Sequence, residues 1–143
     1  MKFSKTLITT AILGFSLASF HSIAWADTPE QQFQQGVEAT TRGDDQTTFK
    51  RWLPLAEQGD ATAQYYLGNM YSVGRGVKQD DVEAVKWYRK AAEQGLALAQ
   101  SMLGTSYILG KGVQVNKSLA KEWLGKACDN GEQKGCEYYG KLK

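Results

Sequence analysis

Histidine is all but missing from this 143-residue chain, whose single copy is His21. Proline and cysteine are scarce, at two residues each, and no sign of charge prevails: 17 basic and 15 acidic side chains give a formal net charge of +2. Each shortage excludes a class of function. A chain without a basic block has no electrostatic footprint for nucleic acid and no polybasic tail for an anionic membrane. His21 lies in an N-terminal leader, so the rest of the chain has no imidazole for a Ser-His-Asp or Cys-His nucleophile, or for an imidazole-based metal site. Two thiolates alone cannot close a zinc site. Neither a cofactor nor a metal is expected.

The leader reads as a secretory signal peptide over residues 1–26. It has a basic start at Lys2 and Lys5, an apolar centre from Leu7 to Ala18, and the small residues Ala24 and Ala26 at the two positions a signal peptidase reads. An uncleaved anchor is the alternative, but the apolar centre is shorter than the roughly 20 residues of a spanning helix. Cleavage after Ala26 removes Lys2, Lys5 and His21 but no acid, and leaves 15 basic against 15 acidic side chains, formally neutral. The expected product is periplasmic or secreted. Residue 27 is Asp, not Cys, so no lipid anchor forms there and no stable membrane attachment outlasts cleavage. In an oxidising compartment Cys128 and Cys136 pair by default.

Beyond the leader the chain copies itself. Ala56-Glu57-Gln58-Gly59-Asp60-Ala61-Thr62-Ala63-Gln64 returns 36 residues later as Ala92-Glu93-Gln94-Gly95-Leu96-Ala97-Leu98-Ala99-Gln100. The same shift carries Leu67-Gly68 onto Leu103-Gly104, Tyr71 onto Tyr107, Gly74 and Gly76 onto Gly110 and Gly112, and Trp87 onto Trp123. The organisation that follows is a degenerate helix pair at 27–55, repeats at 56–91 and 92–127, and a capping helix at 128–143. In the degenerate pair, Trp52 falls at the Tyr88 position.

Each copy reads as two helices. Ala63, Leu67, Met70 and Tyr71 follow three- and four-residue steps on one helix face, and Gly74 ends that helix. Asp80 caps a second helix carrying Val82, Val85, Trp87, Tyr88 and Ala91, and Asn116 is the equivalent cap one copy later. The Gly-Arg-Gly-Val and Gly-Lys-Gly-Val connectors place Val77 and Val113 as core plugs. Neither connector follows a strand or precedes a Lys-Ser or Lys-Thr pair, so a phosphate-cradling loop is not indicated. Gly68 and Gly104 fall in mid-helix, where glycine costs about 1 kcal/mol relative to alanine; close approach of the neighbouring helix is the expected reason. Pro54 is expected to kink or shorten its helix. Lys134, Glu137 and Lys141 give the last unit the polar outer face that keeps a stacked array soluble.

The signature Ala-Glu-Gln-Gly-x-Ala-x-Ala-Gln-x-x-Leu-Gly-x-x-Tyr-x-x-Gly-x-Gly-Val resembles that of the Sel-1-like repeat family, relatives of the tetratricopeptide repeats. The resemblance implies an all-α fold, a right-handed α/α superhelical solenoid, and a role as an adaptor, scaffold or regulator that binds another protein. The periplasmic part of a membrane protein is one form such a partner takes. The Cys128–Cys136 spacing is similar to that of cysteine-rich secreted members, where a bridge ties the second helix of one repeat to the first helix of the next.

On the first helix of each pair the positions opposite the core stripe are Thr62, Tyr65, Asn69 and Ser72, then Leu98, Ser101, Thr105 and Ile108. This strip is the candidate partner-binding surface. The alternative is an enzyme, prompted by the penicillin-binding and β-lactamase activity attributed to those cysteine-rich members. Ser118-Leu119-Ala120-Lys121 has the serine–lysine spacing of that chemistry, but no Ser-Asp-Asn or Lys-Thr-Gly accompanies it. No catalytic residue is assigned. N-terminal sequencing of exported protein is expected to begin at Asp27; a start at Met1 would overturn the leader assignment.

Overall fold

The computed structural model describes residues 26–142, so the leader lies outside the described residues except for Ala26. The described residues form seven helices: α1 Pro29–Thr41, α2 Asp45–Glu57, α3 Ala61–Val73, α4 Asp81–Glu93, α5 Ala97–Leu109, α6 Lys117–Asp129 and α7 Gln133–Lys141. Each packs against its neighbours in sequence, and α5 also touches α7. This is the all-α solenoid of helix pairs expected from the period.

Local signals place the helix ends. Asp60 Oδ1 accepts from the Ala63 amide at 2.7 Å, Asp80 Oδ1 from Val82 and Glu83 at 2.9 and 3.0 Å, and Asn116 Oδ1 from Leu119 at 3.0 Å. Each cap is worth about 1 kcal/mol. Leu96, at the position of Asp60 one repeat later, caps nothing. At the other end Gly74 and Gly110 take φ of 71° and 66°, the left-handed closure that glycine adopts without a Cβ penalty. The shortening expected at Pro54 does not occur: α2 runs for the same 13 residues as its neighbours. Pro54 sits in the last turn, where the orphaned carbonyl belongs to the exposed Lys50 and is open to water.

Two clusters of buried side chains fill the junctions. Trp52, Leu55, Ala63, Leu67, Met70 and Trp87 make the first, joined by the half-buried Val77. Ala84, Val85, Tyr88, Ala99, Leu103 and Tyr107 lead the second, joined by Val113. On the outer helices Lys90 lies 4.4 Å from the Trp87 ring and Lys126 4.3 Å from the Trp123 ring, one cation–π pair per repeat at the same position.

A second recurring device joins one repeat to the next. Gln64 Nε2 donates to the Ala56 carbonyl at 3.0 Å, and Gln94 Nε2 donates to Gln64 Oε1 at 2.9 Å. Thirty-six residues on, Gln100 Nε2 donates to the Ala92 carbonyl at 3.1 Å and Asn130 Nδ2 to Gln100 Oε1 at 2.9 Å. Both glutamines are 4% exposed, so losing either amide would strand a buried carbonyl at a cost of about 1–3 kcal/mol. The next positions in this series are Cys128 and Cys136, and here the sulfurs are bonded, with Cα atoms 4.5 Å apart. The disulfide stands where the other junctions have an amide–carbonyl hydrogen bond.

The mid-helix glycines meet side chains of the following helix. A Cβ at Gly68 would lie 2.5 Å from the Tyr88 ring and one at Gly104 2.6 Å from Leu124 Cγ. Gly36 does the same for Trp52, at 2.2 Å from its indole nitrogen. Gly68→Ala gains about 1 kcal/mol of helix propensity but overpacks against a Tyr88 ring that is 2% exposed, at a cost of about 1–3 kcal/mol. Chemical denaturation is expected to show net destabilisation, and a variant more stable than wild type would refute the close-packing role.

Candidate functional site

The loops joining α3 to α4 and α5 to α6 create the surface relief from which a site is built. In both, the middle glycine lies on the N-terminus of the preceding outer helix. A Cβ at Gly76 would fall 2.3 Å from the Asp45 carbonyl oxygen and one at Gly112 2.0 Å from that of Asp81, and both glycines have φ of +70°. No other residue meets both demands. Beside this contact Arg75 forks onto Asp45, Nη2–Oδ1 at 2.7 Å and Nε–Oδ2 at 3.2 Å, a bidentate pair. The equivalent Lys111–Asp81 pair is looser, at 4.0 Å.

Above each loop the inner helices leave a niche. The first, about 330 Å³, is lined by Thr48, Trp52, Tyr66, Asn69, Met70 and Val73, with Thr40, Arg75 and Met102 at its margins. The second, about 110 Å³, is lined by Ala84, Tyr88, Met102, Thr105, Ser106 and Leu109, with Ser72 and Lys111 at its margins. Position by position the two are one structure displaced by 36 residues: Trp52 becomes Tyr88, Tyr66 becomes Met102, Asn69 becomes Thr105, Met70 becomes Ser106 and Val73 becomes Leu109. The first niche is therefore the larger and more apolar. Val73 and Leu109 are 63% and 60% exposed, and Tyr66 is 37% exposed, so each repeat presents bare apolar surface at the same place.

The niche floor is fixed. Tyr88 OH donates to Asn69 Oδ1 at 2.8 Å, which orients that amide. Burial raises the Tyr88 phenol well above its ordinary value, and the Ser72 hydroxyl opposes this only in part. Tyr88 therefore remains a neutral donor at any physiological pH. Trp52 Nε1 donates to the Phe33 carbonyl at 3.1 Å while its ring stacks on Tyr66 at 4.8 Å between centroids.

The sequence-derived strip divides. Asn69 and Ser72 line the first niche, and Ser72 and Thr105 the second. Tyr65 is half-buried, with its ring 6.2 Å from Tyr88, and packs on the core. Ser101 is 7% exposed, which removes it from any open surface, and Ile108 packs half-buried against the second cluster. Leu98 is 44% exposed and Thr62 is exposed, both in the first turn of their helices and outside both niches. Sequence reasoning did not single out Tyr66, Val73, Met102 and Leu109, and it gave Met70 to the core alone. The available signal was their place one residue along from the assumed strip, at a 36-residue spacing.

Ser118 and Lys121 are both exposed on α6, with Lys121 Nζ 5.6 Å from the Tyr139 ring centroid. Among the described residues no group of three or more His, Cys, Asp or Glu is placed to hold a metal ion, and no helix is long and apolar enough to cross a membrane.

The model of the Sel1 repeat matches residues 61–96 and 97–132, which span α3 to α6. No curated protein matches the chain. Among solved structures it is similar to c5321, described as a protective antigen present in uropathogenic Escherichia coli strains displaying an SLR fold. That likeness has 32% identity and a TM-score of 0.76, and covers 82% of this chain and 26% of the antigen. It is also similar to a Sel1 repeat protein from Oxalobacter formigenes, at 35% identity and a TM-score of 0.74, over 80% of this chain and 49% of that one. The chain thus spans about a quarter of the first and half of the second. The Helicobacter pylori cysteine rich protein B shares the fold at 24% identity and a TM-score of 0.65, over 77% of this chain and 93% of that one.

Proposed function

The chain belongs to the Sel1 repeat family, a scaffold type that mediates protein–protein interactions, and on that premise we propose that it is an exported binding module whose two tandem niches take a segment of a protein partner. The observation that carries this reading is the repetition of bare apolar surface, Val73 and Leu109, beside a preformed niche in each repeat. Neither side chain belongs to the core clusters, and exposed apolar side chains that recur at the rim of a preformed niche suit an interaction site better than scattered exposure does. Asn69, Ser72 and Thr105 supply polar contacts at the niche margins, and Tyr66 supplies a large, rigid anchor. The disulfide supports export, since such bonds persist in oxidising compartments.

The two niches differ in what they accept. Met70 and Trp52 line the first, about 330 Å³, and suit it to a bulky apolar side chain, whereas the second, about 110 Å³, has room only for a small residue and offers it the hydroxyls of Ser106 and Thr105. A partner segment that fills both has one large apolar residue and one small polar residue spaced by the solenoid's rise.

Val73→Asp combined with Leu109→Asp places two charges on surface the fold leaves open, so thermal unfolding is expected within about 0.5 kcal/mol of wild type. Capture of the partner, identified first by photo-crosslinking from position 66 and mass spectrometry, is expected to fall at least tenfold. Undiminished capture by a folded double variant would move the site elsewhere.

A further inference from the structure

Three junctions recur at the repeat spacing, two closed by the Gln64 and Gln100 clamps and the third, which holds α7, by sulfur. That helix is also the least embedded. It has 9 residues against 13 in each of the others, and Gly135 is its sole buried residue, whereas α3 buries five and α5 seven. Isolated helices below about 12 residues are marginal in water, so α7 depends on what it docks against. It docks on α6 and α5 through few side chains of its own: Gly135 against Ala127, the 40% exposed Tyr139 over Gly125, and the half-buried Leu142. At the position of the core residues Leu67 and Leu103, which are 0% exposed, α7 has that same exposed Tyr139. The bond itself is open to solvent chemistry, because Cys136 is exposed and Cys128 half-buried.

We infer that the Cys128–Cys136 disulfide is a redox latch for α7. A dithiol reductant, such as the paired thiols of a Cys-x-x-Cys oxidoreductase, attacks the sulfur of Cys136, the more exposed of the two residues, and forms a mixed disulfide, releasing Cys128 as a thiol. Its second thiol then displaces Cys136. The reductant ends as a disulfide, and two electrons and two protons end on Cys128 and Cys136. Neither cysteine can replace the lost bond, because a thiol is a weak donor and the Gln side chain that spans the same gap at the other junctions is absent. α7 then opens locally while α1 to α6, held by their own clamps and clusters, stay folded. The consequence for docking rests on the niche reading. Tyr138, 38% exposed, follows Tyr66 and Met102 at the repeat spacing, so opening α7 withdraws the third rung of the partner face.

Hydrogen exchange read by mass spectrometry tests the latch without any partner, using dithiothreitol as reductant, and so stands apart from the docking test. In wild type, reduction is expected to accelerate exchange across residues 133–142 at least tenfold and leave α3 to α5 unchanged. Cys128→Ala with Cys136→Ala should exchange like reduced protein in either condition. Cys128→Ala with Cys136→Gln installs the amide clamp of the other junctions, and should keep α7 protected with or without dithiothreitol. Full reduction, verified by the mass of two alkylated thiols, that left α7 protection intact would overturn the latch. So would loosening of α3 to α5 together with α7, which would make the bond a general staple.

Discussion

At Gly36, Gly68 and Gly104 the absence of a Cβ lets Trp52, Tyr88 or Leu124 lie directly on the backbone of the partner helix. The two helices of each pair can therefore approach closely, and the large side chain reaches through to the inner face. This is why Trp52 and Tyr88 are buried in the core and yet contribute to a niche. With a β-carbon at those positions the helices would separate, the aromatic rings would need new rotamers, and the niches built on them would change shape. The inner surface depends on three missing methyl groups.

Lateral order comes from a different kind of contact. Gln64 and Gln100 each receive one hydrogen bond and give one, linking three helices through a single buried amide. Such an amide fixes register, because a slip of one residue would leave a buried donor or acceptor without a partner. The loop contacts at Gly76 and Gly112 fix the other end of the same interface. Between these two constraints the repeats have little freedom to shear, which is a condition for two niches to present a defined spacing to one ligand.

Most of the fold could be read from the sequence because its causes are local and repeated. The helix caps at Asp80 and Asn116, the stops at Gly74 and Gly110 and the close packing at Gly68 and Gly104 each follow from one residue's chemistry, and recurrence at 36 residues makes each signal count twice. Pro54 misled because its effect depends on which carbonyl it orphans, and that depends on where the helix ends. The site was only half legible. Asn69, Ser72 and Thr105 were reached from a helical wheel, but Ser101 and Ile108 were given to the same face although Ser101 is buried and Ile108 packs half-buried on the second cluster. A wheel knows one helix and its core, while a solenoid helix has neighbours on several sides. Val73 and Leu109 escaped notice because they sit at the very end of the periodic stretch, next to glycines that read simply as stops.

Repetition of scaffold with variation of lining is how a short array gains discrimination. The backbone relations at the two junctions are alike, so the differences between the niches come from substitutions that the fold tolerates. Met70 to Ser106 exchanges a flexible apolar chain for a hydroxyl, and Ser106 turns that hydroxyl back on the Met102 carbonyl at 2.9 Å, so the exchange leaves no unsatisfied group in the second niche. Arg75 to Lys111 exchanges a planar fork locked on Asp45 for a point charge held loosely near Asp81. A ligand entering the first niche meets an apolar wall beside the Arg75–Asp45 pair, and one entering the second meets the loosely paired Lys111 and the hydroxyls of Ser72, Thr105 and Ser106. The α7 end extends the same logic. There the tolerated substitutions reach the clamp itself, and a bond that responds to the redox environment replaces one that does not.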